Sequence, residues 1–339
     1  MITPVCYQDR QLIILDQSKL PQQIVYDRCG TAEEAAEAIR TLKVRGAPLI
    51  GIIAAYAMVL ALITFKGPNE GLCRYFQEKK HLLAATRPTA VNLFWALNNM
   101  ERLFMENLEL PLADLIKLME EKANEILNLD IALNRLIGEN GRGLLPSGCQ
   151  VLTICNAGAL ATGGYGTALG VIRAAHAENG LGMVWVCETR PVLQGARLTV
   201  WELTREKIPV TLITDSMAGY IMYLGKVDVV IAGADRVASN GDTANKIGTY
   251  SLAMLARCHK IPFYIAAPFS TFDLSLADGA EIPVEERDPQ EIKCVNGKYI
   301  TVPEVSVFNP AFDITPGELI SSIITEKGVF SPPYDFSGK

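Results

Sequence analysis

QVLTICNAGALATGGYGTALGVIRAAHAENGLGMVWVC, residues 150–187, is the stretch on which the fold turns. A short apolar run (150–155) ends in a glycine-rich turn carrying Gly158, Gly163, Gly164 and Gly166. Helical spacing of apolar residues follows over 167–178, and then a second β-rich run over 183–187. A strand, a helix and a second strand of this length form one βαβ unit, which requires parallel strands with the helix packed on the sheet. The pattern continues outward. Runs at 210–214, 227–232 and 262–266 alternate with helical segments near 195–206, 217–224 and 244–259. The expectation is a Rossmann-like, doubly wound parallel sheet. The tail beyond about 273 is rich in proline and turns, with one more helix expected near 316–325.

Upstream the pattern differs. Apolar runs at 12–15 and 23–26 suggest a small sheet, and Thr31-Ala-Glu-Glu reads as a helix N-cap with acidic first-turn residues. Helical periodicity then recurs over 47–64, 69–85, 90–107 and 112–136, punctuated by Gly67-Pro68, Arg87-Pro88 and Leu110-Pro111. The fold class expected is α/β. A mostly helical domain with a small sheet (1–128) precedes the parallel-sheet domain (129–339), and the helix near 112–136 connects them.

Composition narrows the function. Hydrophobic residues make up 49% of 339 positions and charged ones 20%, which suits a well-packed globular enzyme. A net charge of -6 disfavours nucleic acid as a partner, because phosphate-backbone binding needs a positive field. The apolar run 47–65 contains Pro48, Gly51 and Tyr56 and reads as a buried helix, so no membrane span is expected. Eight cysteines form no CxxC pair and have no histidine at ligand spacing. Neither a metal site nor a disulfide framework is expected, and the cytoplasm is the natural compartment.

In an open parallel sheet, ligands bind beyond the carboxyl ends of the strands. Those ends hold Cys155 and Asn156 after the first strand, Cys187 to Arg190 after the second, Asp215 after the third and Asp235 after the fourth. Cys155 is read either as a base or nucleophile beside a helix N-terminus or as a buried inert thiol. Asp235, followed by Arg236, is either a catalytic carboxyl or half of an ion pair. Gln194 opens the helix after the second strand, and Asn245 and Lys246 lie in a polar segment read as a loop opening a helix. Arg45-Gly46-Ala47 and Arg87 each precede a helix, where donors and backbone amides suit a phosphate. The Gly164-Tyr165-Gly166 turn misses the third glycine of a dinucleotide fingerprint, although Glu188 lies at about the distance of a ribose-binding acid. His81, His176 and His259 all fall in helical stretches, which leaves acid–base work to Cys and Asp.

Seven blocks carry a resemblance that runs along most of the chain: KVRGAPLIG (43–51), TRPTAVNLFWAL (86–97), TICNAGALATGGYGTALG (153–170), CETRPVLQGARLTVWEL (187–203), ITDSMAG (213–219), AGADRVASNGDTANKIGTY (232–250), and FNPAFDITP with ITEKG (308–316, 324–328). On these the sequence resembles the methylthioribose-1-phosphate isomerase family. The same superfamily holds ribose-1,5-bisphosphate isomerase and the regulatory subunits of a translation initiation exchange factor. The resemblance implies Cys155 and Asp235 as the catalytic pair, with Arg45, Gly46, Ala47, Arg87, Gln194, Asn245 and Lys246 contacting a sugar phosphate. It also implies a homodimer, no cofactor, no metal and no bound dinucleotide. The reaction implied is isomerisation of an aldose 1-phosphate to a ketose 1-phosphate in methionine salvage. The alternatives are the same chemistry on 5-deoxyribose 1-phosphate, or a non-catalytic regulatory subunit that binds a sugar phosphate or nucleotide.

Overall fold

Thr31 begins the first helix as expected: its side chain accepts from the Glu34 amide at 3.2 Å and Glu34 answers by accepting from the Thr31 amide at 3.2 Å, a reciprocal capping box. The computed structural model describes residues 2–295 and 297–336, and the chain divides into two compact units, Met1–Arg135 with Gly158–Gly166, and Leu136–Ala157 with Thr167–Lys339.

The first unit comprises β1 (Val5–Gln8), β2 (Gln11–Leu15) and β3 (Tyr26–Cys29), followed by α1 (Ala32–Arg40), α2 (Ala47–Thr64), α3 (Leu72–Ala84), α4 (Val91–Glu106) and α5 (Leu112–Gly141). The strands form an antiparallel sheet in the order β1-β2-β3. Helix α2 is its core. Every residue from Ala47 to Leu62 except Pro48 is buried, so a helix long and apolar enough to cross a membrane is instead sheathed by protein. Two glycines make that packing possible. A Cβ on Gly51 would lie 2.6 Å from the Asn92 carbonyl oxygen, so α4 approaches α2 at its first turn. A Cβ on Gly46, at φ 101°, would lie 2.6 Å from the backbone of Ala161. The expected boundary at 128/129 falls inside α5, which runs on to Gly141.

The second unit follows with β4 (Gln150–Thr153), α6 (Ala168–Asn179), β5 (Met183–Cys187), α7 (Val200–Arg205), β6 (Val210–Ile213), α8 (Ala218–Tyr223), β7 (Val229–Ala232), β8 (Arg236–Ala238), β9 (Thr243–Lys246), α9 (Thr249–His259), β10 (Phe263–Ala266), β11 (Phe272–Asp273), α10 (Gln290–Lys293), β12 (Cys294–Val295), β13 (Lys298–Tyr299), β14 (Phe312–Thr315), β15 (Ser322–Thr325) and β16 (Gly328–Phe330). Seven strands pair in the order β16-β15-β10-β7-β4-β5-β6, parallel except for β16. Period-two alternation splits the apolar side chains between two cores. Leu152, Val230, Ala232 and Ile265 pack with α8 and α9, whereas Val151, Val184, Val229 and Ile231 pack with α6 and Leu203 of α7. Helices therefore cover both faces of the sheet.

The structure departs from the sequence expectation at two places. The helix expected near 316–325 is a short turn at Gly317–Leu319 followed by strand β15. Ile323 and Ile324 point to opposite cores, an alternation too short to be told from helical spacing in the sequence. The polar segment 240–246 does not open a helix; it turns at Gly241 (φ 88°) and returns as β9, antiparallel to β8. Strands β11, β8, β9 and β14 thus build a second, four-stranded sheet unseen in the sequence reading.

Candidate active site

Strand order locates a ligand crevice. After β4 the chain adds strands to one side, β5 and β6, and then crosses back to place β7 on the other side of β4. At such a switch point the loops leaving β4 and β7 turn to opposite faces of the sheet, and it is beyond these carboxyl ends that open parallel sheets bind their ligands. Val151 pairs with Val229 and Leu152 with Val230. The residues just beyond, Cys155 after β4 and Asp235 after β7, therefore emerge at the same edge.

Cys155 is half-buried, and its backbone lies at φ 61°, in the left-handed region that side chains with a Cβ disfavour. Its amide donates to Thr189 Oγ1 at 2.8 Å and its carbonyl accepts from Thr199 Oγ1 at 2.6 Å. Thr189 is fixed in turn. Its hydroxyl donates to the Cys187 carbonyl at 2.9 Å and its amide donates to Asp215 Oδ1 at 2.8 Å, while Asp215 Oδ2 accepts the Arg190 amide at 2.7 Å. Asp215 is thus a clamp on the loop after β5. Cys187, the other thiol at this edge, is fully buried, and burial pushes its pKa far above the usual thiol range, which keeps it protonated and unreactive.

Asp235 is half-buried and its amide donates to the Ala244 carbonyl at 2.8 Å. Arg236 pairs with Ala244 across the β8–β9 hairpin and its guanidinium bridges Asp273 at 3.2 Å. The hairpin so carries Asn245 and Lys246 to the strand position beside Asp235. Asn245 is buried and donates to Thr249 Oγ1 at 3.0 Å, whose hydroxyl donates to the Lys246 carbonyl at 2.6 Å. The Lys246 ammonium stands 4.8 Å from the centre of the Phe312 ring. Asp313, which the sequence reading passed over, pairs with Asn245 in the β14–β9 ladder and accepts the Gly248 and Tyr250 amides at the start of α9 (2.7 and 3.1 Å). Burial raises its pKa to about 6.

Gln194 precedes a π-helical turn, Gly195–Thr199, that leads into α7. Such turns recur at functional sites because they re-aim side chains. Gln194 is buried, and among the described residues its Oε1 has no hydrogen-bond partner, an acceptor that a ligand hydroxyl would satisfy.

In the first unit, Arg45 is buried at the start of α2, and Gly46 admits the Gly158–Gly166 loop. Arg87 precedes α4, whose first turn rests on Gly51 of α2, so the amino ends of the two helices lie together. The glycine loop itself is already occupied by protein. The Gly163 amide donates to Asp130 Oδ2 at 2.7 Å, the Gly164 amide to Thr162 Oγ1 at 3.2 Å, and the Gly166 amide to the Gly164 carbonyl at 3.0 Å. Amides that would cradle a pyrophosphate are spent, which argues against a dinucleotide on this loop. The three histidines lie in the last turns of α3, α6 and α9.

The family described as initiation factor 2 subunit matches residues 43–332. A protein of Syntrophomonas wolfei named methylthioribose-1-phosphate isomerase is 58% identical over 334 residues, spanning 98% of this chain and 96% of its own. The crystal structure of 5-methylthioribose 1-phosphate isomerase from Pyrococcus horikoshii superposes with a TM-score of 0.92 at 44% identity, covering 98% of this chain and 94% of that one. A second crystal structure, described as translation initiation factor eIF-2B, subunit delta, from A. fulgidus, superposes with a TM-score of 0.87 at 41% identity, covering 98% and 97%.

Proposed function

The chain belongs to the initiation factor 2 subunit family and, within it, to the methylthioribose-1-phosphate isomerases, and from that premise we propose that it converts 5-methylthioribose 1-phosphate into 5-methylthioribulose 1-phosphate with Cys155 and Asp235 as its catalytic pair. The observation that carries the residue assignment is the pairing of β4 with β7, which delivers a half-buried thiol and a half-buried carboxyl to one edge of the sheet. The role in methionine salvage follows from the reaction.

The chemical difficulty is that the anomeric oxygen is esterified, so no free aldehyde forms before hydrogen moves. Asp235 acts as the acid that protonates the departing ring oxygen. Hydrogen then passes from C2 to C1 of the resulting cation, either as a proton carried by Cys155 or as a direct hydride, and the charge is discharged when the C2 hydroxyl gives its proton back to the Asp235 carboxylate, leaving the ketone at C2. Running the reaction in deuterated water separates the two routes, because only a proton relay admits solvent label at C1. Gln194, with its unsatisfied acceptor, and Asn245 suit the sugar hydroxyls, while Lys246 and, in the first unit, Arg45, the Gly46–Ala47 helix start and Arg87 are assigned to substrate binding.

We read the seven-stranded sheet as a Rossmann-like fold that binds no dinucleotide, in agreement with the strand order and the spent amides of the glycine loop. We also read the protein as a cytoplasmic homodimer. Supporting the dimer are the exposed apolar side chains Leu212 on edge strand β6, Tyr220 and Tyr223 on α8, and Tyr250 and Met254 on α9, which a second subunit would cover.

The A. fulgidus neighbour raises a second reading, a regulatory subunit without catalysis. Proton NMR of purified protein with methylthioribose 1-phosphate and, separately, 5-deoxyribose 1-phosphate tests both. Conversion is expected for the methylthio sugar, with the deoxy sugar disfavoured by about 1 to 3 kcal/mol in kcat/KM. Binding of either sugar without conversion would establish the regulatory reading instead.

A further inference from the structure

Beneath Cys155 runs a buried polar chain that the proposed chemistry does not use. Thr199 Oγ1, which donates to the Cys155 carbonyl, accepts from Asn156 Nδ2 at 3.1 Å. The same Asn156 nitrogen donates to Glu202 Oε1 at 2.8 Å. Glu202 Oε2 meets the Arg173 guanidinium at 2.7 Å, and Arg173 Nε meets Glu206 at 2.6 Å. Thr199 and Glu202 are fully buried, and Asn156 and Arg173 nearly so. Taking a carboxylate and a guanidinium out of water costs several kcal/mol per ion, and apolar residues of the same size would stabilise the fold at least as well. The chain ends, however, on the carbonyl of Cys155, which joins a thiol side chain to a left-handed backbone.

We infer that Glu202 is a positioning residue: through Asn156 and Thr199 it anchors the Cys155 carbonyl and so holds the thiol on the crevice side of β4. This rests on Cys155 being the reactive thiol of the proposed isomerase. A residue with a Cβ at φ 61° is strained by about 1 to 2 kcal/mol and keeps that conformation only where its surroundings over-determine it. Two hydroxyls do so here, Thr189 on the amide and Thr199 on the carbonyl. The π-helical turn Gly195–Thr199 supplies the second, bringing Thr199 to the end of β4 one residue before α7 begins. Glu202 sits in the first turn of that helix, anchored to α6 by Arg173. Without the Thr199 hydroxyl, Cys155 relaxes to negative φ, which turns its Cα–Cβ bond away from the crevice.

The test compares Thr199→Val, which keeps shape and removes the hydroxyl, with Thr199→Ser, which keeps the hydroxyl. Glu202→Gln, which keeps an acceptor for Asn156 without the charge, is a second route should Thr199→Val not fold. Two readouts are taken on each: steady-state kinetics with methylthioribose 1-phosphate, and the rate of Cys155 alkylation by iodoacetamide followed by peptide mass spectrometry. Thr199→Val is expected to lower kcat by about ten- to a hundredfold with KM nearly unchanged, as sub-ångström misplacement of a reacting group does. It is also expected to alkylate about fivefold more slowly, because reactivity follows access to the thiol. Thr199→Ser restores both, and Glu202→Gln shifts both in the direction of Thr199→Val. Alkylation as fast in folded Thr199→Val and Glu202→Gln as in the wild type overturns the inference, whatever the kinetics. A wild type that turns over no sugar, with slowed alkylation in the variants, removes the proposed function and leaves the positioning role standing.

Discussion

Leu152 and Val230 are partners across the two central strands of the parallel sheet. Since the side chains of a strand alternate and neighbouring parallel strands stay in step, this single register fixes where each chain emerges. It sends Cys155 and Asp235 out at the same edge, at the point where strand order reverses.

Cys187→Ala should leave kcat within about twofold of wild type and cost about 1 kcal/mol of stability, the common scale for a lost buried group. Cys187 is fully buried with its thiol held protonated. Urea denaturation and steady-state kinetics on the same preparation check both numbers. A deep loss of kcat at preserved stability would show that the wrong thiol has been assigned.

Gln194 couples stability to binding. Its buried Oε1 lacks a partner among the described residues, so Gln194→Met removes that acceptor at nearly constant volume. The variant should be more stable by about 1 kcal/mol while its KM for the sugar phosphate rises about tenfold, the loss of one hydrogen bond. Unchanged KM would mean that Gln194 does not meet the substrate.

Arg45→Ala and Arg87→Ala should each weaken binding of the sugar phosphate by about 1.5 to 3 kcal/mol, the scale of a hydrogen bond to a charged group. Arg→Lys should recover only part of that, because an ammonium lacks the planar two-pronged contact. Isothermal titration calorimetry at fixed ionic strength measures the difference, and wild-type affinity in either alanine variant removes that arginine from the site.

Asp130 gives a pH signature in stability. Burial raises its pKa to about 7 in the folded chain, against the hydrogen bonds from Gly163 and Asn134 that lower it. The folded state therefore holds a proton that the unfolded state has released, and stability falls as pH rises from the ordinary carboxyl value through about 7. Both hydrogen bonds end on Oδ2, so an asparagine oxygen can accept the pair. Asp130→Asn should gain on wild type progressively between about pH 4 and pH 8, by up to about 4 kcal/mol at about 1.4 kcal/mol per pKa unit. A difference in melting temperature that stays constant over that range would contradict this.

Much of the scaffold was legible from periodicity. The run 183–187 is β5 residue for residue, and the helix beginning at Ala47 follows Arg45-Gly46 as read. What escaped was decided at long range. Asn245 and Lys246 looked like a loop because Asn240-Gly241-Asp242 is turn-forming on either reading, and only the partner strand β14, far along the chain, makes them a strand. Asp313 was visible only as one letter of FNPAFDITP; that it caps α9 depends on tertiary folding. Likewise Thr189, Thr199 and Glu202 were visible only as letters of CETRPVLQGARLTVWEL, since their meaning lies in a left-handed Cys155 backbone that sequence does not display.

The most direct test is the time course of methylthioribose 1-phosphate isomerisation by wild type, Cys155→Ala and Asp235→Asn, followed by proton NMR with far-UV circular dichroism on each sample. The wild type should form the ketose phosphate. Each variant, with an unchanged spectrum, should lose between about a hundredfold and ten-thousandfold in kcat, the range that a positioned acid or base contributes. Turnover near the wild-type rate in either variant would contradict the assignment of Cys155 and Asp235 as the catalytic pair.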